Sequence, residues 1–264
     1  MLKKIDHFDL KQIAESGQCF RWKQEEDITK IVAFNRVLRV KEKGDAFDFD
    51  CDEKDFDDVW ADYFDLGTDY NRVEELVKQS KDSHLIEAYR QGNGIRILRQ
   101  ELFETIISYL VSQNNNIPRI KGSLEAICKK GGFKIEGSNE YRLPAPGEIS
   151  KDFFFDSSLS LGYRDSYLSK MYEFLADNPN YLDSLRKKSY PDAKEELRKH
   201  TGIGPKVSDC ICLFSLHHIA AFPIDTHVKQ LLNKYYRDGF NYEYFDGFAG
   251  VIQQYLFYYE LKNK

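Results

Sequence analysis

Cysteine is scarce in this 264-residue sequence, which has only Cys19, Cys51, Cys128, Cys210 and Cys212. The number is odd and only the last two are close, in a C-x-C spacing that suits a zinc knuckle poorly, so neither a disulfide framework nor a structural metal is expected. No run approaches the ~18 to 20 apolar residues of a membrane span, and Met1-Leu2-Lys3-Lys4 leads into Asp6, His7 and Asp9 rather than into an apolar signal core. The expectation is a soluble intracellular protein, in the cytoplasm or nucleoid if its source is prokaryotic, without a membrane partner or an organelle-targeting extension. Positive charge is not in excess either: 38 Lys and Arg against 43 Asp and Glu leave a net charge of -5. That balance at first opposes a polyanionic partner. The acid is concentrated, however, with 12 Asp/Glu against 3 Lys/Arg between Val40 and Asp69, so the rest of the chain is net positive and can present a basic face.

Bulky rings are plentiful, with 19 Phe and 17 Tyr in a chain that is 42% hydrophobic and 31% charged. Such side chains bury enough area to offset the entropy of ordering, and the length suits two domains at ~100 to 200 residues each. From Ile28 to Phe49 short β-rich runs alternate, Ile28 to Phe34 and Val37 to Val40, broken by Asn35-Arg36 and by Lys43-Gly44-Asp45, which predicts an antiparallel sheet. After Asp52 the pattern turns helical, with Ile97, Glu101, Phe103, Ile107, Leu110 and Val111 near a 3.6-residue period. The fold class expected is α+β: an N-terminal domain over 1–95 with an antiparallel sheet and helices, then an all-α domain over 96–264. Gly92-Asn93-Gly94 is the junction, and Leu143 to Gly147 is a loop in the helical part. There is no internal repeat, low-complexity tract or long linker.

Residues 191 to 216 are the most informative. Pro191 opens a helix that stops at Thr201-Gly202-Ile203-Gly204. Pro205 suits the first turn of a second helix, in which Val207, Cys210, Ile211 and Phe214 share a face. In such a helix-hairpin-helix, Gly202 and Gly204 let the backbone approach a phosphate while the next helix N-terminus directs N–H groups and positive dipole at it. An ordinary helical turn without ligand is the plain alternative. Further on, Phe222-Pro223-Ile224-Asp225-Thr226-His227-Val228 starts another helix. Asp225 stands at its N-cap position, where simple capping is the commoner role.

Taken together, T-G-I-G-P-K-V-S-D-C and F-P-I-D-T-H-V, with 19 residues from Lys206 to Asp225, resemble the helix-hairpin-helix DNA glycosylases of the HhH-GPD superfamily. Four further landmarks narrow the resemblance to the 8-oxoguanine DNA glycosylase/AP lyases and extend it over nearly the whole chain: Ser16 to Trp22, Ser112 to Ile120, Leu161-Gly162-Tyr163-Arg164 and Ala249 to Phe257. Each is weak alone; their order and side chains together are specific. Pro118, inside the Asn-rich motif, departs from the family pattern.

The resemblance implies base excision from duplex DNA containing 8-oxoguanine opposite cytosine, by a monomer without a cofactor or catalytic metal. A base inside the stack cannot be attacked at its sugar carbon, so it is extruded and its place filled. The resemblance assigns Asn114 to filling the gap, Tyr163 to a wedge beside the orphaned base, and Arg119 with Arg164 to hydrogen bonds with the estranged cytosine, whose ring nitrogen and carbonyl accept. It assigns the carbonyl of Gly17 to N7–H of the lesion, a donor that normal guanine lacks. Phe257 and Cys210 sandwich the flipped base, Gln253 reads its Watson–Crick edge, and the C-terminal helix thereby lines the pocket. Lys206 attacks C1′ and the resulting Schiff base permits β-elimination; Asp225 stabilises positive charge on the sugar; Gly202, Gly204 and His227 meet phosphates.

An unperturbed lysine, with a pKa of ~10.4, is almost wholly charged at neutral pH. Either burial or a nearby cation favours its neutral form, or Cys210 at i+4 holds the ammonium as a thiolate pair until the base arrives. The residues leave both routes open. An alkylation-repair member of the superfamily needs no lysine at the position of Lys206, an iron–sulfur member needs clustered cysteines after Cys212, and a non-catalytic DNA-binding module needs neither Lys206 with Asp225 nor Gln253 with Phe257.

Overall fold

The structure is a computed structural model that describes residues 1–245 and 247–263. Five short strands, β1 (Leu2–Lys3), β2 (Trp22–Glu25), β3 (Ile28–Ala33), β4 (Arg36–Lys43) and β5 (Ala46–Phe49), form one sheet in the order β1-β5-β4-β3-β2. The registered pairs are antiparallel, so the α+β class and the N-terminal sheet are as expected. The β3–β4 turn differs by one residue from its prediction. Ala33 pairs with Arg36, leaving Phe34 and Asn35 as the two-residue loop, both at positive φ (51° and 57°). That geometry matches the right-handed twist of the flanking strands, and Asn adopts it readily while Phe gives no such signal in a sequence.

The helices are α1 (Leu10–Glu15), α2 (Glu53–Asp55), α3 (Ala61–Tyr63), α4 (Tyr70–Ser80), α5 (Ser83–Gly92), α6 (Leu102–Ser112), α7 (Ile117–Gly131), α8 (Arg164–Asp177), α9 (Tyr181–Arg186), α10 (Tyr190–Arg198), α11 (Pro205–Phe214), α12 (Thr226–Tyr235) and α13 (Ala249–Lys262). None of the described helices is long and apolar enough to cross a membrane.

Ile97 and Glu101, read as part of a helical face, lie outside α6. Ile97 belongs to an extended stretch and Glu101 is the N-cap residue. The reason is that tertiary partners take the backbone groups a helix would have used: Ile97 N donates to Tyr70 Oη (2.7 Å), Leu98 N to Gln18 Oε1 (2.8 Å) and Arg99 N to the Tyr63 carbonyl (2.9 Å).

The chain divides into two compact units, each assembled from separated stretches: Met1–Cys19, Glu42–Arg99 and Cys212–Lys264 in the first, Phe20–Lys41 and Gln100–Ile211 in the second. In the first unit the aromatic residues interlock. Phe8 meets Phe47 and Phe64 edge-on, and Phe49 meets Phe56 and Phe64, at centroid distances of 4.8 to 5.8 Å. Each such buried ring contributes about 1.5 to 3 kcal/mol of transfer free energy. In the second unit Phe154 and Phe103 pack on Tyr172.

The first unit also buries a carboxylate. Asp65, with no exposed surface, accepts from Thr68 Oγ1 (2.8 Å), Tyr70 Oη (3.0 Å) and Arg99 Nε (3.0 Å), and His217 Nε2 stands 2.9 Å away. Burial pushes its pKa up, but His217, Thr68 and Arg99 outweigh burial and leave it below the ordinary aspartate value. A group with a depressed folded-state pKa stabilises the fold above its unfolded value, ~3.9, and loses that contribution as pH falls through the folded value. Asp65→Ala is therefore expected to cost about 1 to 3 kcal/mol at pH 7, because the buried Tyr70 hydroxyl loses its acceptor. Urea midpoints of the two proteins should converge as pH is lowered below ~4, the range in which aspartates protonate; a gap independent of pH would remove the carboxylate from the account.

Candidate active site

The predicted hairpin is formed by α10 and α11. Ser189 caps α10, accepting from Asp192 N, and Pro191 lies in its first turn. Asp209 on α11, 5% exposed, accepts from Tyr190 Oη (2.6 Å) and Lys194 Nζ (2.7 Å), tying the two arms together. The two glycines differ in kind. Gly202 has φ +88°, and a Cβ there would stand 2.6 Å from the Tyr167 ring, so both backbone and packing demand glycine. At Gly204 a Cβ would meet nothing within 4 Å. Its lack of a side chain answers no need of the fold and leaves open space above the backbone.

Lys206, half-buried, lies in the first turn of α11 with Nζ 5.1 Å from the centroid of the Tyr109 ring, whose face attracts the ammonium. Cys210, buried, follows one helical turn later. Tyr109 was not anticipated from the sequence. It is itself buried and meets Phe20 edge-on at 5.7 Å. The available signal was its place on α6, one turn before Gln113 of the Asn-rich motif, but this takes meaning only once Lys206 is known to lie over its ring.

The Asn-rich motif forms the turn from α6 to α7. Asn116 caps α7, accepting from Arg119 N at 3.0 Å, and Pro118 occupies the first turn, where a missing N–H costs nothing. The departure at Pro118 is therefore accommodated by the helix start. Asn114 is exposed with φ +44°. Arg164, 5% exposed, holds this turn: Nε and Nη2 donate to the Gln113 carbonyl, Nη2 also to Asn114 O (2.8 Å), and Nη1 to Leu161 O (2.9 Å). Tyr163, 50% exposed, reaches the same Gln113 carbonyl through its hydroxyl (3.3 Å), and the Arg164 guanidinium lies 4.6 Å from its ring centroid. Arg119 is exposed, with one long bond of 3.4 Å to Ser160 O. Asn114, Arg119, Tyr163 and Arg164 thus belong to one locality, in which Arg164 is interior and the other three face outward.

The remaining predicted residues lie in the first unit. Gly17 has φ +77°, and a Cβ there would press on the Phe257 ring at 3.3 Å. Phe257, half-buried, packs with the cluster of Phe222, Val228 and Ala249. Gln253 is 4% exposed and donates to the Pro223 carbonyl at 3.2 Å. Asp225 caps α12 as predicted, accepting from Val228 N at 2.8 Å, and half-buried His227 is in the first turn. Gly250 brings α13 against the preceding loop: its N–H donates to Ile219 O (2.8 Å), and a Cβ would stand 2.5 Å from Ala221 O.

Residues 1–106 match the family described as 8-oxoguanine DNA glycosylase, N-terminal domain. Over its length the chain is similar to the 8-oxoguanine glycosylase/lyase of Clostridium acetobutylicum in its apo-form, at 34% identity and a TM-score of 0.88, covering 98% of this chain and 95% of that one. This chain belongs to the 8-oxoguanine DNA glycosylase/lyase family. The Clostridium protein in complex with duplex DNA containing cytosine opposite 8-oxoguanine superposes with a TM-score of 0.87, at 34% identity, over 99% of this chain and 95% of that chain. MBOgg1, in complex with a low-affinity DNA ligand, is 36% identical with a TM-score of 0.90, covering 99% of this chain and 95% of that chain. The N-glycosylase/DNA lyase of Saccharomyces cerevisiae is 29% identical over 258 residues, covering 86% of this chain and 68% of the yeast protein.

Within this glycosylase the two sets of residues do chemically different things. The second unit offers an amine on a helix start, a glycine-lined hairpin and three outward polar side chains, which suit covalent chemistry and nucleic-acid contact. The first offers a carboxylate, a buried amide and a ring beside a glycine at positive φ, which suit the recognition of a flat heterocycle. Among the described residues of the glycosylase, no group of three or more His, Cys, Asp or Glu is placed to hold a metal ion.

Proposed function

We propose that the chain removes 8-oxoguanine from opposite cytosine in duplex DNA and then nicks the abasic strand, with Lys206 as nucleophile. The observation that carries this reading is the amine of Lys206 held over Tyr109 at the start of α11, directly after the hairpin glycines. In its neutral form Nζ attacks C1′ as the C1′–N9 bond breaks and the base leaves with the bonding pair. Loss of the amine proton and opening of the sugar give a protonated Schiff base. Removal of a C2′ proton then expels the 3′ phosphate oxygen and cuts the strand. The Asp225 carboxylate stabilises the positive charge on the sugar. Gly17, Cys210, Gln253 and Phe257 receive the base; Asn114 and Tyr163 fill the vacated stack; Arg119 and Arg164 address the cytosine; Gly202, Gly204 and His227 contact phosphates. Borohydride added to enzyme and an 8-oxoguanine:cytosine duplex should leave a covalent protein–DNA adduct, and none on undamaged duplex. No adduct despite base release means a mechanism without the lysine.

The roles differ in how cleanly mutation tests them. Arg119 is exposed and anchors little, so Arg119→Ala should leave stability unchanged while lowering the preference for cytosine over adenine about 10- to 100-fold, the loss of a charge-assisted bond of ~1.5 to 3 kcal/mol. Arg164→Ala frees the carbonyls of Gln113 and Asn114 as well, so it should also lower the melting temperature. Excision rates opposite cytosine and adenine decide the matter, and an unchanged ratio for Arg119→Ala takes this residue out of recognition.

Gly204 is likewise the sound probe of the hairpin, since Gly202→Ala must disturb Tyr167 whatever the ligand. Each phosphate contact adds ~0.9 to the slope of log affinity against log salt. Gly204→Ala should keep the melting temperature and reduce that slope, and neutralising Asp55, Asp57 and Asp58 should leave it unchanged. A wild-type slope for Gly204→Ala puts the DNA on another surface.

A further inference from the structure

The orientation of the amide of Gln253 is set by a chain of hydrogen bonds that starts at a proline carbonyl. Pro223 O can only accept, so the group facing it at 3.2 Å is Nε2 of Gln253. Oε1 of Gln253 therefore points the other way, and the atom 3.0 Å from it is Nε2 of Gln254. Both glutamines are buried, at 4% and 3% exposure, on a helix that is buried from Ala249 to Leu256. Adjacent residues on a helix do not ordinarily face one another, so Gln254 turns its side chain along α13 to make this contact. The cost is visible at its other end. Gln254 Oε1 is buried and has no hydrogen-bond partner among the described residues. A buried acceptor left without a donor is destabilising, and a chain that needed only packing here would be served by an apolar residue.

We infer that Gln254 is a positioning residue that locks the Gln253 amide in one orientation, so that its oxygen, with one lone pair engaged by Gln254, keeps the other for the N–H donors on the Watson–Crick edge of a guanine-type base. The inference rests on the proposed assignment of Gln253 to reading the base. Without Gln254 the amide has a single anchor at Pro223 and turns about its last torsion, presenting nitrogen to donors in part of the population. A pocket reading N1–H and the exocyclic amine then loses an acceptor at the moment the base is tested. Gln254 touches neither base nor sugar, and it acts through Gln253.

The experiment uses the full chain and two duplexes, one with 8-oxoguanine opposite cytosine and one with a preformed abasic site. Gln254→Met keeps length and volume while removing both the donor and the orphan acceptor, so its melting temperature should equal or exceed that of the wild type. Single-turnover base release should fall about tenfold, whereas borohydride trapping on the abasic duplex, where there is no base to read, should be unchanged. Gln254→Glu, which sets oxygen against oxygen, should slow release at least as much. In the Gln253→Ala background Gln254→Met should add nothing. Wild-type release by both Gln254 variants, or a further tenfold loss in the double variant, overturns the positioning role while leaving the base-reading role of Gln253 standing. Wild-type release by Gln253→Ala overturns both.

Discussion

Lys206→Gln is expected to abolish base release and the borohydride adduct together, while lesion-DNA binding stays close to wild type. The side chain lies half-buried over Tyr109 and makes no contact that holds the hairpin closed, a task that falls to Asp209 with Tyr190 and Lys194. Glutamine keeps most of the length and loses the nucleophile and the charge. Without the amine no covalent route remains, and the loss in single-turnover release should be on the order of 10³-fold or more, comparable with removing a principal catalytic group elsewhere. The adduct is the sharper measurement because it has no background. Base release at the wild-type rate by this variant would move the nucleophile away from Lys206.

Asp225→Asn is the second change with a large expected effect, and here the structure separates chemistry from folding. The carboxylate accepts from Val228 N at 2.8 Å, a bond that the oxygen of asparagine makes equally well. Stability should change by a few tenths of a kcal/mol, about the spread between good capping residues. The negative charge proposed to face the sugar is gone, and removal of one preorganised electrostatic group costs about 10²- to 10³-fold. Asp225→Ala adds loss of the cap and should lower stability by about 1 kcal/mol more. Melting temperatures of the three proteins, set beside single-turnover rates, distinguish the roles. An Asn variant with normal turnover would reduce Asp225 to a helix cap.

The locally determined features of this chain were legible from its residues. Pro191 and Pro205 preset a helical φ where no N–H is needed, glycine at 202 admits the positive φ of the turn between the two arms, and Asp225 carries an oxygen at the right place for a free N–H. Each depends on a few neighbouring residues. The order of the motifs then pointed to the family, to which the whole-chain comparison assigns it. Elements that draw on distant partners were misread: the extended stretch through Ile97 satisfies its backbone from Tyr70, Gln18 and Tyr63, and the β3–β4 loop takes Phe34 into a conformation that its side chain does not announce.

Tertiary structure alone decided how the candidate residues are held. The motif containing Arg164 does not reveal that its guanidinium is spent on the carbonyls of Gln113, Asn114 and Leu161, nor does T-G-I-G reveal that only its first glycine is sterically required. Tyr109 beneath Lys206 and Gln254 behind Gln253 were equally hidden. The physical reason is the same throughout: helix ends and caps are settled by bonds spanning three or four residues, whereas the aim of a long polar side chain is settled by whichever acceptor the fold brings within 3 Å of it, a distance typical of any hydrogen bond.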